Sequence, residues 1–307
     1  MNYFFITLIS VGIMLAYALP GFAVVKTKLV RPESISAFAV VLMYVCQPCL
    51  TIYTLNNANY TPELFGNMAL FFAVSLALQL VFMAIMYLLY RRKSADVRYR
   101  VATIASVCGN CSFMGVPLLE AIFPSNPDVV TYSIAFLLGM NLLCWTLGSA
   151  LIARDKKYVS VKKALLNPAV ISFALMMPLF LTNTKLPEQL ADMFTLLGKM
   201  TTPLCMLIMG MRLATVKLKS FVGSPLNYLS IAIKQLIFPL VALAATWFLP
   251  LNLEWRQTMF ILCCTPVASL VLNFAEMLGE GQEDAANTVL MGTLCSIVTI
   301  PVLMLIL

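Results

Sequence analysis

Apolar stretches of about twenty residues recur along nearly the whole chain, and they limit its possible folds more than any other feature. Of the 307 residues, 61% are hydrophobic and 11% are charged, whereas a typical soluble domain carries about 25% charged residues. A soluble fold has too little interior for so much apolar surface, so lipid must surround most of it. Because backbone polar groups in hydrocarbon need internal partners, the sequence predicts an all-α integral membrane protein.

Ten segments are long enough to span a membrane, since a hydrocarbon core of about 30 Å takes about 20 helical residues to cross. Short polar or basic connections separate them. The ten predicted spans cover approximately residues 2–24, 34–56, 63–90, 99–123, 129–153, 164–182, 187–211, 226–249, 257–278 and 285–306.

Lysine and arginine are distributed unequally among these connections. With these spans, 16 of the 20 basic residues fall on one side of the membrane. Cytoplasmic connections are enriched in basic residues, so both termini are predicted to lie outside the cytoplasm, in a cell (plasma or inner) membrane. Membrane orientation thus explains the net charge of +7, and nucleic acid is not needed as a partner to account for it. The acidic connection from Glu276 to Asp284 does not fit the rule. The sixteen residues are Lys26, Lys28, Arg31, Arg91, Arg92, Lys93, Arg98, Arg100, Arg154, Lys156, Lys157, Lys162, Lys163, Arg212, Lys217 and Lys219.

The spans divide into two halves, residues 1–153 and 164–307, joined by a short basic connection at 154–163. Five spans is an odd number, so two consecutive halves have opposite orientations, as in inverted-repeat transporters. Weak internal similarity supports this division. The matched pairs are Pro48 with Pro203 and Cys108 with Cys263, both 155 positions apart, and Glu120 with Glu276, 156 positions apart.

Spans 4 and 9 both contain residues that break helices. Gly109, Gly115 and Pro117 fall in span 4, and Pro266 falls in the middle of span 9. Proline removes a backbone donor and glycine permits unusual backbone geometry. The freed backbone groups persist in a membrane only where protein or water satisfies them. Breaks at matching places in two halves therefore indicate a transport site, whose helix N-termini suit an anion.

The segment Asn110-Cys-Ser-Phe-Met-Gly-Val-Pro-Leu118 resembles the Asn-x-x-Phe-x-Gly-x-Pro-Leu crossover motif of the auxin efflux carrier family, which contains plant PIN proteins and bacterial organic-anion permeases. The resemblance implies a scaffold of spans 1, 2, 6 and 7 and a mobile domain of spans 3–5 and 8–10. Spans 4 and 9 cross near the bilayer centre, as in sodium–proton antiporters and bile-acid symporters. It also implies carboxylate substrates such as malate, malonate or auxin-like acids, an elevator-like movement and a homodimer through the scaffold. The short connection between the halves is typical of a compact bacterial-type member.

Neutral polar residues near the breaks are the candidates for binding the substrate. By the resemblance, Asn110 contacts the carboxylate, and Thr265 is its counterpart in the second half. Polar residues in membrane helices also serve simply to join neighbouring helices. The substrate-binding candidates are Asn110, Ser112, Thr265, Ser269 and Asn141, with Gln79 and Asn273 as further residues of the same cavity.

Two lysines lie within predicted spans, where charged groups are costly and usually functional. Lys234, near the middle of span 8, is predicted to stand in for a coupling cation or to carry a proton itself. Lys199, near the middle of span 7, is a candidate to attract the substrate carboxylate or to cap a neighbouring helix. The sequence leaves open whether Glu120 and Glu276, near helix ends, take part.

Two CxxC pairs, Cys46-Gln-Pro-Cys49 and Cys108-Gly-Asn-Cys111, suggest a thiol or metal site. The pairs are much further apart than the roughly 15–20 residues of a compact zinc ribbon, and the chain has no histidine. They are predicted to be small packing residues, with no metal and no cofactor.

The sequence thus predicts a transporter of small organic anions and not an enzyme. The alternatives are a sodium-coupled symporter of the same architecture, a membrane thiol oxidoreductase, and a receptor built on a transporter fold.

Overall fold

The structure is a computed structural model that describes residues 3–216 and 224–307. Lys217 and Lys219, two of the basic residues in the topology prediction, lie outside the described residues, as does the side chain of Lys156. Apart from an isolated bridge between Gly109 and Val267, the regular structure of the described part is helical. The helices, numbered in chain order, are α1 (Tyr3–Lys26), α2 (Pro32–Asn57), α3 (Pro62–Lys93), α4 (Val97–Ala105), α5 (Cys111–Ile122), α6 (Asp128–Ala153), α7 (Val161–Leu165), α8 (Pro168–Leu181), α9 (Glu188–Thr215), α10 (Pro225–Trp247), α11 (Leu253–Cys264), α12 (Ser269–Leu278) and α13 (Gln282–Ile306).

Seven of these helices, in the described part of the chain, are long and apolar enough to cross a membrane. They are α1, α2, α3, α6, α9, α10 and α13, and they coincide with predicted spans 1, 2, 3, 5, 7, 8 and 10. The all-α membrane class predicted from the sequence is thereby confirmed.

The other three predicted spans are not single long helices. Helices α4 and α5 occupy span 4, and α11 and α12 occupy span 9, with a short non-helical segment inside each pair. Span 6 corresponds to α8, which has only 14 residues. A total of ten spans therefore stays a prediction.

Several helices begin where a polar side chain can accept a hydrogen bond from the first helical turn. Thr61 accepts from the Leu64 amide at the start of α3, and Asn252 accepts from the Trp255 amide at the start of α11. Each such cap satisfies one of the amides that the helix leaves unpaired. Pro62 follows Thr61 directly, at a position where a missing N–H costs nothing.

Most of the helices pack in two groups, and the division into the scaffold and the mobile domain implied by the family resemblance stays a prediction. Helix α9 packs along α1 and α2, and α8 packs against α2. In the other group α3 packs on α6, α10 on α11, and α12 on α13. Helix α1 also contacts α5 and α13, so it lies at the boundary. The division into inverted halves and any relative movement stay predictions.

Two glycines bring α1 and α9 into close contact. A Cβ atom added at Gly210 would lie 1.9 Å from the Ala18 carbonyl oxygen, and one added at Gly21 would lie 2.1 Å from the Leu207 carbonyl oxygen. An added Cβ would overlap the backbone of the facing helix, so it could be accommodated only if the two helices moved apart. Small residues commonly permit such close approach between membrane helices.

Two glutamates of the acidic connection, which did not fit the topology prediction, form ion pairs with arginine side chains. Glu280 accepts a hydrogen bond from Arg100 Nη2 at 2.8 Å, and Glu276 forms an ion pair with Arg212. Arg100 is buried in α4 and also donates to the Ile152 carbonyl, so it is not a loop residue. Local ion pairing therefore accounts for acidic residues at the otherwise basic end of the helices.

We predict that Gly210→Ala lowers the stability of the protein, because the added methyl group overlaps the backbone of α1. Overpacking of a tight contact typically costs about 1–3 kcal/mol. Thermal unfolding in detergent should show a clearly lower melting temperature. Gly12→Ala is the matched control, since no atom lies within 4 Å of its added Cβ; equal melting temperatures for the two variants would contradict the prediction.

Candidate functional site

Two non-helical segments meet at the centre of the molecule, residues 106–110 between α4 and α5 and residues 265–268 between α11 and α12. The segments pair in antiparallel fashion. The Asn110 amide donates to the Pro266 carbonyl at 2.8 Å, and the Ala268 amide donates to the Cys108 carbonyl at 2.9 Å. Each unwound segment thus provides hydrogen-bond partners for backbone groups of the other. A buried unwound segment requires such partners.

The break in the first half is shorter than the sequence predicted. Gly109 and Pro266 lie in the unwound segments, but Gly115 and Pro117 do not break a helix. Both belong to α5, whose first turn is widened so that the Asn110 carbonyl accepts from the Gly115 amide at 3.1 Å. Pro117 comes directly after this widened turn, and such local widening lets a membrane helix continue past a proline that lacks its N–H. Gly115 instead allows close packing, since an added Cβ would lie 2.7 Å from Leu262 Cδ2.

Lys234 is fully buried in α10 directly behind the crossing. Its Nζ donates to the carbonyl oxygens of Cys263 and Thr265, at 2.7 Å and 2.9 Å. These carbonyls lie at the C-terminal end of α11, where a helix leaves its last acceptors unpaired and carries partial negative charge. The ammonium group therefore caps the broken helix and compensates its dipole.

A cavity lies on one side of the crossing, between the two groups of helices. It contains most of the candidates predicted from the sequence, namely Gly109, Asn110, Ser112, Asn141, Ser269 and Asn273. Asn110 and Ser112 belong to the start of α5, and Ser269 begins α12, so two helix N-termini border the same space. From the other group, α2 and α9 close the cavity with mainly apolar side chains.

Three predicted candidates lie outside this cavity. Thr265 is fully buried in the crossing, where its hydroxyl donates to the Leu262 carbonyl at 2.7 Å. Gln79 is buried in α3, and neither of its side-chain polar atoms has a partner among the described residues. Lys199 is exposed at the opposite end of the interface between the groups, with Nζ 5.5 Å from the centre of the Tyr53 ring.

Lys199 lines two pockets, of about 290 Å³ and 300 Å³, that also contain Tyr53 and Glu120. The Tyr53 hydroxyl donates to the Glu120 carboxylate at 3.0 Å and so joins α2 to α5. Glu120 thus links α5 to α2 at one end of the interface, and Glu276 links α12 to α9 at the other end. Such a placement is compatible with an inverted repeat.

Arg212 is a lining residue that the sequence analysis missed, because its position close to the end of span 7 suggested a cytoplasmic connection. In the structure it lies in the last turns of α9 and faces the cavity. It follows Cys205, Ile208 and Met209 at helical spacing, and all three line the same space. Extending the span by one turn and following that helix face would have identified it.

The cysteines of the two CxxC pairs are all buried and free. The Cys108 thiol contacts the thiol of Cys144 in α6, with 3.0 Å between the sulfur atoms. A redox pair needs an accessible thiolate, so the burial of these side chains favours packing.

We predict that Lys234→Met destabilises the protein and removes its transport activity. The substitution leaves the Cys263 and Thr265 carbonyls unpaired in the interior, which costs about 1–3 kcal/mol for each group. The readouts are the melting temperature in detergent and substrate flux in liposomes. Lys199→Met is the control, because an exposed lysine should change stability by no more than about 0.5 kcal/mol. Similar melting temperatures for the two variants would overturn this assignment.

Comparison with known proteins identifies the family. The sequence profile of the family described as "Membrane transport protein", the auxin efflux carriers, matches residues 5–304. Among curated proteins no sequence matches the chain significantly. The match extends over nearly the whole chain and includes both unwound segments, and members of this family are transporters. The chain therefore belongs to the auxin efflux carrier family of membrane transport proteins.

Proposed function

We propose that this transporter moves small organic anions, with the carboxylate bound in the cavity beside the crossing. The observation that carries the proposal is the composition of the cavity lining. Two helix N-termini, three asparagines contributed by the mobile group and one arginine border the space, and no aspartate or glutamate is among the lining residues described. Amides, hydroxyls and helix N-termini all donate hydrogen bonds, as a carboxylate requires.

Movement of the mobile group relative to the scaffold is the proposed mechanism. The cavity has walls from both groups, so a sliding displacement of α3–α6 and α10–α13 along α2 and α9 would carry the bound anion across. Contacts between the groups are suited to such sliding because α2 and α9 present mainly apolar side chains to the cavity. The crossing itself moves as a unit, held by its backbone hydrogen bonds and by Lys234.

Lys234 is proposed to occupy the position of a coupling cation. Its ammonium group already donates to two backbone carbonyls, which are the oxygen ligands that a bound sodium ion would need. This favours a carrier driven by the membrane potential or by protons over a sodium-coupled symporter. An anion leaving a cell with a negative interior gains energy from the potential.

The cavity lining extends from the crossing to Arg212, near the helix ends that carry most of the basic residues. We propose that this side is cytoplasmic, that the termini lie outside and that the protein resides in the plasma or inner membrane. A homodimer through the scaffold helices is also part of the proposal.

A thermal-shift screen of organic acids at several pH values tests the proposal. A ligand present at 100 times its dissociation constant stabilises the folded state by about 2.7 kcal/mol. We expect malonate, malate or a similar carboxylate to raise the melting temperature, and Asn110→Ala to abolish the shift. The control is Asn59→Ala, an exposed residue distant from the cavity. Absence of binding and of liposome flux for every acid tested would refute the proposed function.

Replacing Cys46, Cys49, Cys108 and Cys111 with alanine separates transport from thiol chemistry. We expect the quadruple variant to keep carboxylate binding and flux, with some loss of stability from the smaller buried side chains. Loss of function together with an unchanged melting temperature would favour the oxidoreductase alternative.

A further inference from the structure

Arg212 is the one charged residue among the cavity-lining residues described. Its side chain is 13% exposed and pairs with Glu276 of α12, whose side chain is 44% exposed. Both guanidinium Nη atoms reach the carboxylate: Nη1 contacts Oε1, and Nη2 lies 3.4 Å from Oε2. An arginine fork of this kind binds any carboxylate in the same planar geometry.

We propose that Arg212 binds the carboxylate of the transported anion and that Glu276 is its internal competitor. The inference rests on the proposed function, since it assumes an anionic substrate in this cavity. Glu276 presents the same functional group as that substrate, so both compete for the same two donors. An anion entering from the cavity side replaces one carboxylate with another and leaves the arginine paired throughout. Arg212 is therefore never left as an unpaired buried charge, which would be costly.

The position of Arg212 relative to Asn110 supports a shared site. Asn110 and Cys205 line the same cavity from opposite groups of helices. Arg212 follows Cys205 by two turns of α9, which is about 10 Å along the helix. Side chains on a helix lean towards its N-terminus, so an arginine at this position can reach back towards Asn110. A small organic anion can thus contact both residues.

The available space favours replacement of Glu276 over binding beside it. The cavity measures about 70 Å³, whereas pockets for drug-sized ligands typically have at least about 300 Å³. Glu276 is not among the lining residues described and is linked to this space through its contact with Arg212. Releasing Glu276 frees both guanidinium donors for a second carboxylate. Because the ion pair joins α9 of the scaffold to α12 of the mobile group, its exchange also removes a link between them.

The chain contains a matched control pair. Arg100 and Glu280 form a second arginine–glutamate pair near the same end of the helices, and Glu280 is 47% exposed. Neither residue lines the cavity. Neutralising Glu280 therefore makes the same change in net charge as neutralising Glu276, without affecting the proposed competitor.

The test compares binding of malonate, malate and propanoate to purified full-length protein in nanodiscs, by calorimetry. We expect Glu276→Gln to bind the preferred acid at least about tenfold more tightly than the unmodified protein, and Arg212→Gln to bind it at least about tenfold more weakly. The double variant should behave like Arg212→Gln, because Glu276 matters only through Arg212. Glu280→Gln should leave the affinity unchanged.

An unchanged or lower affinity in Glu276→Gln would overturn the inference, as would an equal gain in Glu280→Gln, which would indicate a general charge effect. A gain of affinity cannot arise from misfolding, so this result stands even if Arg212→Gln does not fold. Asn110→Ala is measured in parallel. If that variant loses binding while the Glu276 and Arg212 variants do not change it, the inference fails and the proposed function stands. If the unmodified protein binds none of the acids, both fail.

Discussion

The pairing of two unwound backbone segments at the helix crossing is the interaction on which the rest of the structure depends. In hydrocarbon an unwound segment is tolerated only when its amides and carbonyls have partners. Here the bonds between Asn110 and Pro266 and between Cys108 and Ala268 supply those partners reciprocally. Neither break would be stable without the other, and together they place two helix N-termini at one cavity.

Lys234 completes the crossing by electrostatics. The backbone bonds satisfy the unwound residues, but the end of α11 still has free carbonyls and partial negative charge. A fully buried ammonium that donates to two of those carbonyls removes both costs at once. One lysine thereby holds the crossing together, as the proposed movement of the substrate site requires.

Arginine–glutamate ion pairs at the helix ends stabilise contacts between helices rather than the crossing itself. Arg100 and Glu280 join elements within the group of α3–α6 and α10–α13, whereas Arg212 and Glu276 join that group to α9 of the other group. At the far end of the interface, Tyr53 and Glu120 make a hydrogen-bonded counterpart to the second link. The first pair stabilises one group of helices, and in our proposal exchange of the second pair links substrate binding to the separation of the two groups.

The amino-acid sequence by itself determined the membrane class, the approximate position of the long helices, the family and the segment that carries the site. These properties follow from the amino-acid composition, from the apolar stretches and from a local motif around Asn110, all of which are apparent in the linear sequence. The tertiary structure alone decided that Gly109 but not Gly115 or Pro117 lies in the break, because helix unwinding depends on whether a second segment supplies hydrogen bonds. It also decided that Thr265 and Lys199 lie outside the cavity and that Arg212 lies inside it. The placements of Thr265 and Lys199 depend on which faces of distant helices meet, and no local pattern records that; the helical spacing of Arg212 from Cys205, in contrast, is visible in the sequence.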